Sequence, residues 1–106
     1  MIDAIVILGI QGSGKGTQAK LLAERIGFYH LNMGELLRAK SAVNNPLGLR
    51  VKSVIDKGEM VSDELAFEFI AETFRQEYAG VIFDGFPRTL NQVEYLIQHF
   101  RLLKVY

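Results

Sequence analysis

Apolar residues fall in short blocks that alternate between strand-like and helix-like spacing along the 106 residues. Ile5-Val6-Ile7-Leu8 is a continuous, β-branched-rich run that stops at Gly9, the pattern of a strand covered on both faces. Leu21, Leu22, Ala23 and Ile26 then recur at helical spacing, and Gly27 supplies a C-terminal stop. Phe28-Tyr29-His30-Leu31 reads as a second short strand. Residues 34–41 read as helical, with Leu36 and Leu37 between Glu35 and Arg38. Asn44-Asn45-Pro46 interrupts that helix, and another, roughly 47–57, ends at Gly58. Ser62 offers an N-cap to the next helix, Asp63 and Glu64 suit its positive end, and Leu65, Phe69, Ile70 and Phe74 form its apolar stripe. Gly80 is expected to close it. Val81-Ile82-Phe83-Asp84 is a buried strand ending on a carboxylate, and a helix over about 91–100 leads into Leu102-Leu103-Lys104-Val105-Tyr106. Strands separated by helices predict an α/β fold, a parallel sheet of about four strands with right-handed crossovers. Ligands of such sheets sit at the carboxyl ends of the strands, where both Gly9 and Asp84 fall.

Composition narrows the setting. The length suits one compact domain, and 49% hydrophobic with 23% charged residues is ordinary for a globular chain. Formal net charge is zero, which gives no general affinity for nucleic acid or an anionic membrane. No apolar run approaches the ~20 residues that span a bilayer. The block Ala4 to Leu8 is too short for a secretory signal and follows Asp3 rather than a basic residue. Absence of cysteine removes disulfides and thiolate metal sites, so a reduced, cytoplasmic setting is expected. His30 and His99 have no motif around them and are expected to stand alone. Arg25, Arg50, Arg75 and Arg101 are expected to be solvated, and Phe67, Phe69 and Phe74 to be core residues rather than a stacking platform.

The candidate chemistry begins with Gly9-Ile10-Gln11-Gly12-Ser13-Gly14-Lys15-Gly16-Thr17. Glycines at 9, 12, 14 and 16 allow successive backbone N–H groups to turn inward as an anion-binding nest. A helix starting near Lys15 adds unsatisfied amides and a positive dipole end. Lys15 brings a full charge toward the β- and γ-phosphates of a nucleoside triphosphate, and the Thr17 hydroxyl can help bind Mg²⁺. A strand before the loop and a helix after it make this strong evidence for nucleotide binding.

A second constellation, Phe83-Asp84-Gly85-Phe86-Pro87-Arg88-Thr89, narrows the reaction. A carboxylate at a strand end near such a loop can hold Mg²⁺ directly or through water. The arginine suits a second phosphate, because its planar fork grips phosphate oxygens bidentately. Two phosphate grips at one sheet edge point to phosphoryl transfer between nucleotides.

With these blocks the chain resembles the adenylate kinase family of nucleoside monophosphate kinases. The matches are Gly12-Ser13-Gly14-Lys15-Gly16-Thr17-Gln18, Met33-Gly34-Glu35-Leu36-Leu37-Arg38, Gly58-Glu59-Met60-Val61-Ser62-Asp63-Glu64-Leu65, and Asp84-Gly85-Phe86-Pro87-Arg88-Thr89 with Gln92. The resemblance implies a P-loop NTPase-type parallel sheet flanked by helices, with ATP as donor, AMP as acceptor and Mg²⁺ as cofactor. It implies that Gly12, Ser13, Gly14, Lys15, Gly16 and Thr17 hold the ATP phosphates. Arg38 and Arg88 would grip the acceptor phosphate, while Met33, Glu59, Met60, Val61, Gly85, Phe86 and Gln92 would line the acceptor nucleoside. Asp84 and Glu35 would order water around Mg²⁺, and Lys15, Arg88 and Asp84 would carry the catalysis. Residues 1–32 and 80–106 would form the kinase core, and about 33–62 a helical acceptor-binding subdomain.

Three departures qualify what is implied. Met33 stands where the family usually has a threonine facing the acceptor base, which leaves the base preference open. Glu35 stands where Asp is usual. Gln11 replaces a common proline and is expected to loosen the loop. Family members also continue beyond the stretch matched here with a lid, a further strand and a final helix that contribute arginines. The chain is therefore expected to be either a piece of a longer kinase or a reduced relative, and a nucleotide-binding module with little turnover is the alternative.

Overall fold

The computed structural model describes residues 1–9, 14–73 and 77–106. Strands β1 (Ile2–Ile7), β2 (Phe28–Asn32), β3 (Gly80–Asp84) and β4 (Phe100–Val105) form one sheet in the order β2-β3-β1-β4. Its three pairings, β1 with β3, β1 with β4 and β2 with β3, are all parallel. The helices are α1 (Lys15–Ile26), α2 (Met33–Ser41), α3 (Pro46–Asp56), α4 (Asp63–Thr73) and α5 (Leu90–His99). The expected α/β fold is the fold observed. None of the described helices is long and apolar enough to cross a membrane.

The chain divides into two compact units, one of residues 1–33 and 74–106, the other of residues 34–73. In the first, β3 is buried along its whole length between β1 and β2. Alternation along each strand sends Ile5, Ile7, Ile82 and Phe28 to one face, where they pack with Ala19 and Ala23 of α1 and with Leu22. Phe83 points to the opposite face, 5.1 Å from Phe86 and 5.1 Å edge-on from Phe100. The connection leaving β1 runs toward β2, whereas that leaving β3 runs back past β1 to β4. Right-handed crossovers in opposite directions put their helices on opposite faces, which covers both.

Several boundaries follow from local chemistry. Gly27 adopts φ +75°, a left-handed stop, and its N–H bonds the Ala23 carbonyl. Asn45 caps α3 by accepting from the Gly48 N–H at 2.7 Å, with Pro46 in the first turn. Ser62 accepts from the Leu65 N–H at 3.3 Å at the start of α4. The 34–73 unit closes on Val51, Val61 and Phe69, packed with Leu36, Leu37, Val54, Ile55 and Leu65. Lys40 pairs with Glu72 at 2.9 Å and lies over the Phe69 ring.

Two expectations are corrected. The face of α1 turned to the sheet is Ala19 and Ala23, while Leu21 and Ile26 are exposed, because small side chains let the helix lie close to the sheet. Gly80 does not close the preceding helix: residues 77–79 are already turn and bend, and Gly80 opens β3. A Cβ at Gly80 would fall 2.5 Å from the Asp3 carbonyl oxygen and 2.7 Å from the Phe28 ring, so only glycine fits. Phe74 and Arg75 of the expected stripe and surface lie outside the described residues. Arg101 is exposed yet paired, its Nε 2.6 Å from Asp3 Oδ1 across the β1–β4 edge.

Because the Phe28 ring and the β1 backbone close on Gly80 from two sides, Gly80→Ala is expected to lower the unfolding free energy by about 1–3 kcal/mol. Urea denaturation checks this, and an unchanged midpoint would show that β2 and β3 can part at no cost.

Candidate functional site

The first unit places chemistry at the carboxyl ends of β1 and β3. Asp84 is the last residue of β3, in register with Ile7 on β1 and Asn32 on β2, and it is fully buried. A buried carboxylate is costly unless its oxygens accept hydrogen bonds. Here three donors converge on it. The Lys15 ammonium bonds Oδ1, while His30 Nε2 and Asn32 Nδ2 each lie 3.2 Å from Oδ2. An ionised carboxylate only accepts, so His30 must carry its hydrogen on Nε2.

Strand periodicity explains the grouping. His30 and Asn32 are two apart on β2 and therefore share a face, and Asn32 lies beside Asp84 in the parallel register. Lys15 is the first residue of α1, preceded by Gly14 in a left-handed conformation at φ +86°. That turn brings the helix N-terminus, whose first amides have no intrahelical partner, to the ends of the strands. Gly16 stands close by: a Cβ there would be 3.8 Å from Asp84 Oδ2.

Burial raises the Asp84 pKa, but the hydrogen bonds and charges of Lys15 and His30 outweigh it and hold the carboxyl below its ordinary value. His30 is thus part of a cluster rather than isolated, and His99 lies tilted against Tyr95, with ring centroids 4.4 Å apart and 35° between the planes. A polar residue at alternate positions near the end of an otherwise buried strand was the available signal for His30 and Asn32.

The Gly85–Gln92 turn is built around Arg88. Gly85 has φ +82°, and a Cβ there would approach Arg88 Nη2 at 3.6 Å and Met33 Cβ at 3.8 Å. Phe86 is buried, and the Phe86–Pro87 peptide is cis. Arg88 Nε donates to the Gly85 carbonyl at 3.0 Å. Thr89 caps α5 by accepting from the Gln92 N–H at 3.1 Å, and the buried Gln92 returns its Oε1 to the Arg88 N–H at 2.6 Å. This reciprocal arrangement resembles a capping box shifted by one residue.

The structure therefore brings Lys15, Gly16 and Asp84 together, and separately Met33, Gly85, Arg88 and Gln92. Gly14, just before Lys15, and Thr17, two residues after it, are both exposed, whereas Gly12 and Ser13 lie outside the described residues. Glu35, Arg38, Glu59, Met60 and Val61 belong to the 34–73 unit. There Val61 is buried in the unit's core, and the other four are exposed.

A carboxylate whose folded pKa is depressed adds stability that is present above its unfolded pKa, about 3.9. That contribution is lost as pH falls through the folded value. Urea midpoints followed into acid should therefore fall more steeply below about pH 4 for the unaltered chain than for Asp84→Asn. Parallel curves would contradict this pairing.

A model of the adenylate kinase family matches residues 7–105. An adenylate kinase of Ruminiclostridium cellulolyticum is 45% identical over 94 residues, covering 87% of this chain and 44% of that protein. One from Elusimicrobium minutum is 47% identical over 90 residues, 85% of this chain and 42% of that protein. One from Thermus thermophilus is 47% identical over 94 residues, 89% of this chain and 49% of that protein. The chain spans about half the length of the curated relatives it matches. With a family match over nearly all of its residues, on a parallel sheet with Lys15 and Asp84 joined at the strand ends, the chain belongs to the adenylate kinase family.

Proposed function

We propose that this chain carries the donor- and acceptor-gripping parts of a nucleoside monophosphate kinase that moves the γ-phosphoryl group of ATP reversibly to AMP, with Mg²⁺. The observation that carries the reading is the ion pair of Lys15 with buried Asp84 at the N-terminus of α1. It sets a mobile cation beside a fixed anion where a helix end favours phosphate.

In this reading Lys15 exchanges the carboxylate for the donor phosphates, and the amides of Gly12 to Thr17 hold the remaining phosphate charge. Mg²⁺ takes few protein ligands and keeps several waters, so one or two carboxylates beside a triphosphate suffice. Asp84 fits that demand, with its oxygens oriented and its charge maintained by hydrogen-bond donors, and Glu35 is the proposed second carboxylate. Among the described residues there is no cluster of three or more metal-ligating side chains, which an all-protein metal cage would need. The ion's contribution when bound is to offset phosphate charge.

Arg88 and Arg38 grip the acceptor phosphate, and Met33, Glu59, Met60, Val61, Gly85, Phe86 and Gln92 line its nucleoside. Residues about 33–62 serve as the acceptor-binding part, and residues 1–32 and 80–106 as the kinase core. No side chain acts as nucleophile: the acceptor phosphate attacks directly, and alignment carries much of the rate. A cytoplasmic location, with the small-molecule nucleotides ATP and AMP as ligands and neither nucleic acid nor membrane as a partner, completes the reading.

A coupled assay for ADP from ATP plus AMP tests it. Arg88→Ala is expected to cost about 10²-fold or more in turnover, the scale of removing one preorganised donor from a transition state. AMP-dependent turnover no greater than that of Lys15→Ala would overturn the kinase reading. Nucleotide binding without turnover would leave a binding module.

A further inference from the structure

The donors on Asp84 are divided by oxygen. Oδ1 is taken by Lys15, from a long side chain at the start of a helix, whereas Oδ2 is taken by His30 and Asn32, both rooted in β2. Lys15 can leave by rotating its stem, because its ammonium sits at the end of four rotatable bonds and, among the described residues, is paired with Asp84 alone. His30 and Asn32 reach the carboxylate through two side-chain torsions each, from a strand paired to β3 from Phe28 to Asn32, and have far less reach with which to follow another ligand. The two sides of the carboxylate therefore differ in permanence.

We infer that His30 and Asn32 are positioning residues: they pin Oδ2 to β2, so that Oδ1 stays in place and faces the nucleotide when Lys15 departs for the phosphates. The inference rests on the reading of Asp84 as a carboxylate that orders water around Mg²⁺. A carboxylate pivots about the bond to its Cβ, and one fixed oxygen is enough to fix the other. His30 supplies a planar, rigid N–H from the same strand face as Asn32, and two donors on one oxygen resist the pivot better than one. The partners behind a metal-ordering group commonly affect metal affinity by 10–100-fold.

Calorimetric titration of the full chain with ATP, in the presence and absence of Mg²⁺, separates positioning from general folding. His30→Leu is expected to cut the Mg²⁺-dependent gain in ATP affinity by roughly 10-fold. Affinity without Mg²⁺, which depends on Lys15 and the loop amides, should stay near that of the unaltered chain. His30→Gln, whose amide can donate to the same oxygen, should recover most of the loss. Should His30→Leu not fold, Asn32→Ala removes the other donor to Oδ2 and reads the same difference. Equal losses with and without Mg²⁺, no loss at all, or no recovery by glutamine would overturn the inference. ATP binding by the unaltered chain that ignores Mg²⁺ would instead remove the reading of Asp84 on which it rests.

Discussion

A buried carboxylate with no water to solvate it can remain charged only if protein donors replace that water. Asp84 meets the requirement with three groups from two segments far from it along the chain, the N-terminus of α1 and the end of β2. Those segments are distant in sequence, so the condition is met only when sheet order, strand register and helix entry are all correct at once. The same group that localises negative charge for chemistry also requires the surrounding elements to be in place. Removing one partner would leave the rest of the buried polar cluster uncompensated, which is why such groups tie site and fold together.

The sheet prepares this arrangement with ordinary hydrophobic means. β3 lies between β1 and β2, its side chains buried on both faces, and its last residue is carried to the edge where α1 begins. Gly80 at the other end lets the Asp3 backbone and the Phe28 ring close over it. A tight start to β3 fixes the register, and register decides that Asn32 falls beside Asp84 rather than one residue away, where its side chain would face the opposite side.

Much of this was legible in the sequence. Apolar runs stopped by Gly9 and Gly27, the Asn45-Pro46 start and the Ser62 cap each encode a local decision, and the elements formed near those places. Lys15 and Asp84 stood out because a glycine loop and a strand-end carboxylate have chemical meaning on their own. Long-range matters were less legible. Gly80 lies in a glycine-marked break between a helix and a strand, and only the distant atoms of Asp3 and Phe28 decide to which it belongs. Ala19 and Ala23 outrank Leu21 and Ile26 in burial because of where α1 lies on the sheet, which helical spacing does not specify. His30 reads as isolated along the chain because its partner is 54 positions away.

The turn around Arg88 bears on how an anion can be held. The guanidinium Nε–H is already used on the Gly85 carbonyl, and the backbone N–H is used on Gln92. A side-on fork through Nε and one Nη would break the first of these bonds, so two-point contact with an oxyanion has to be end-on, through both Nη atoms. The stem held in this way has already lost part of its rotamer freedom on folding. Less entropy then remains to be lost on capture of a ligand. In the proposed role of Arg88 as a phosphate grip, the direction of approach would thus be set by a bond that never touches the ligand.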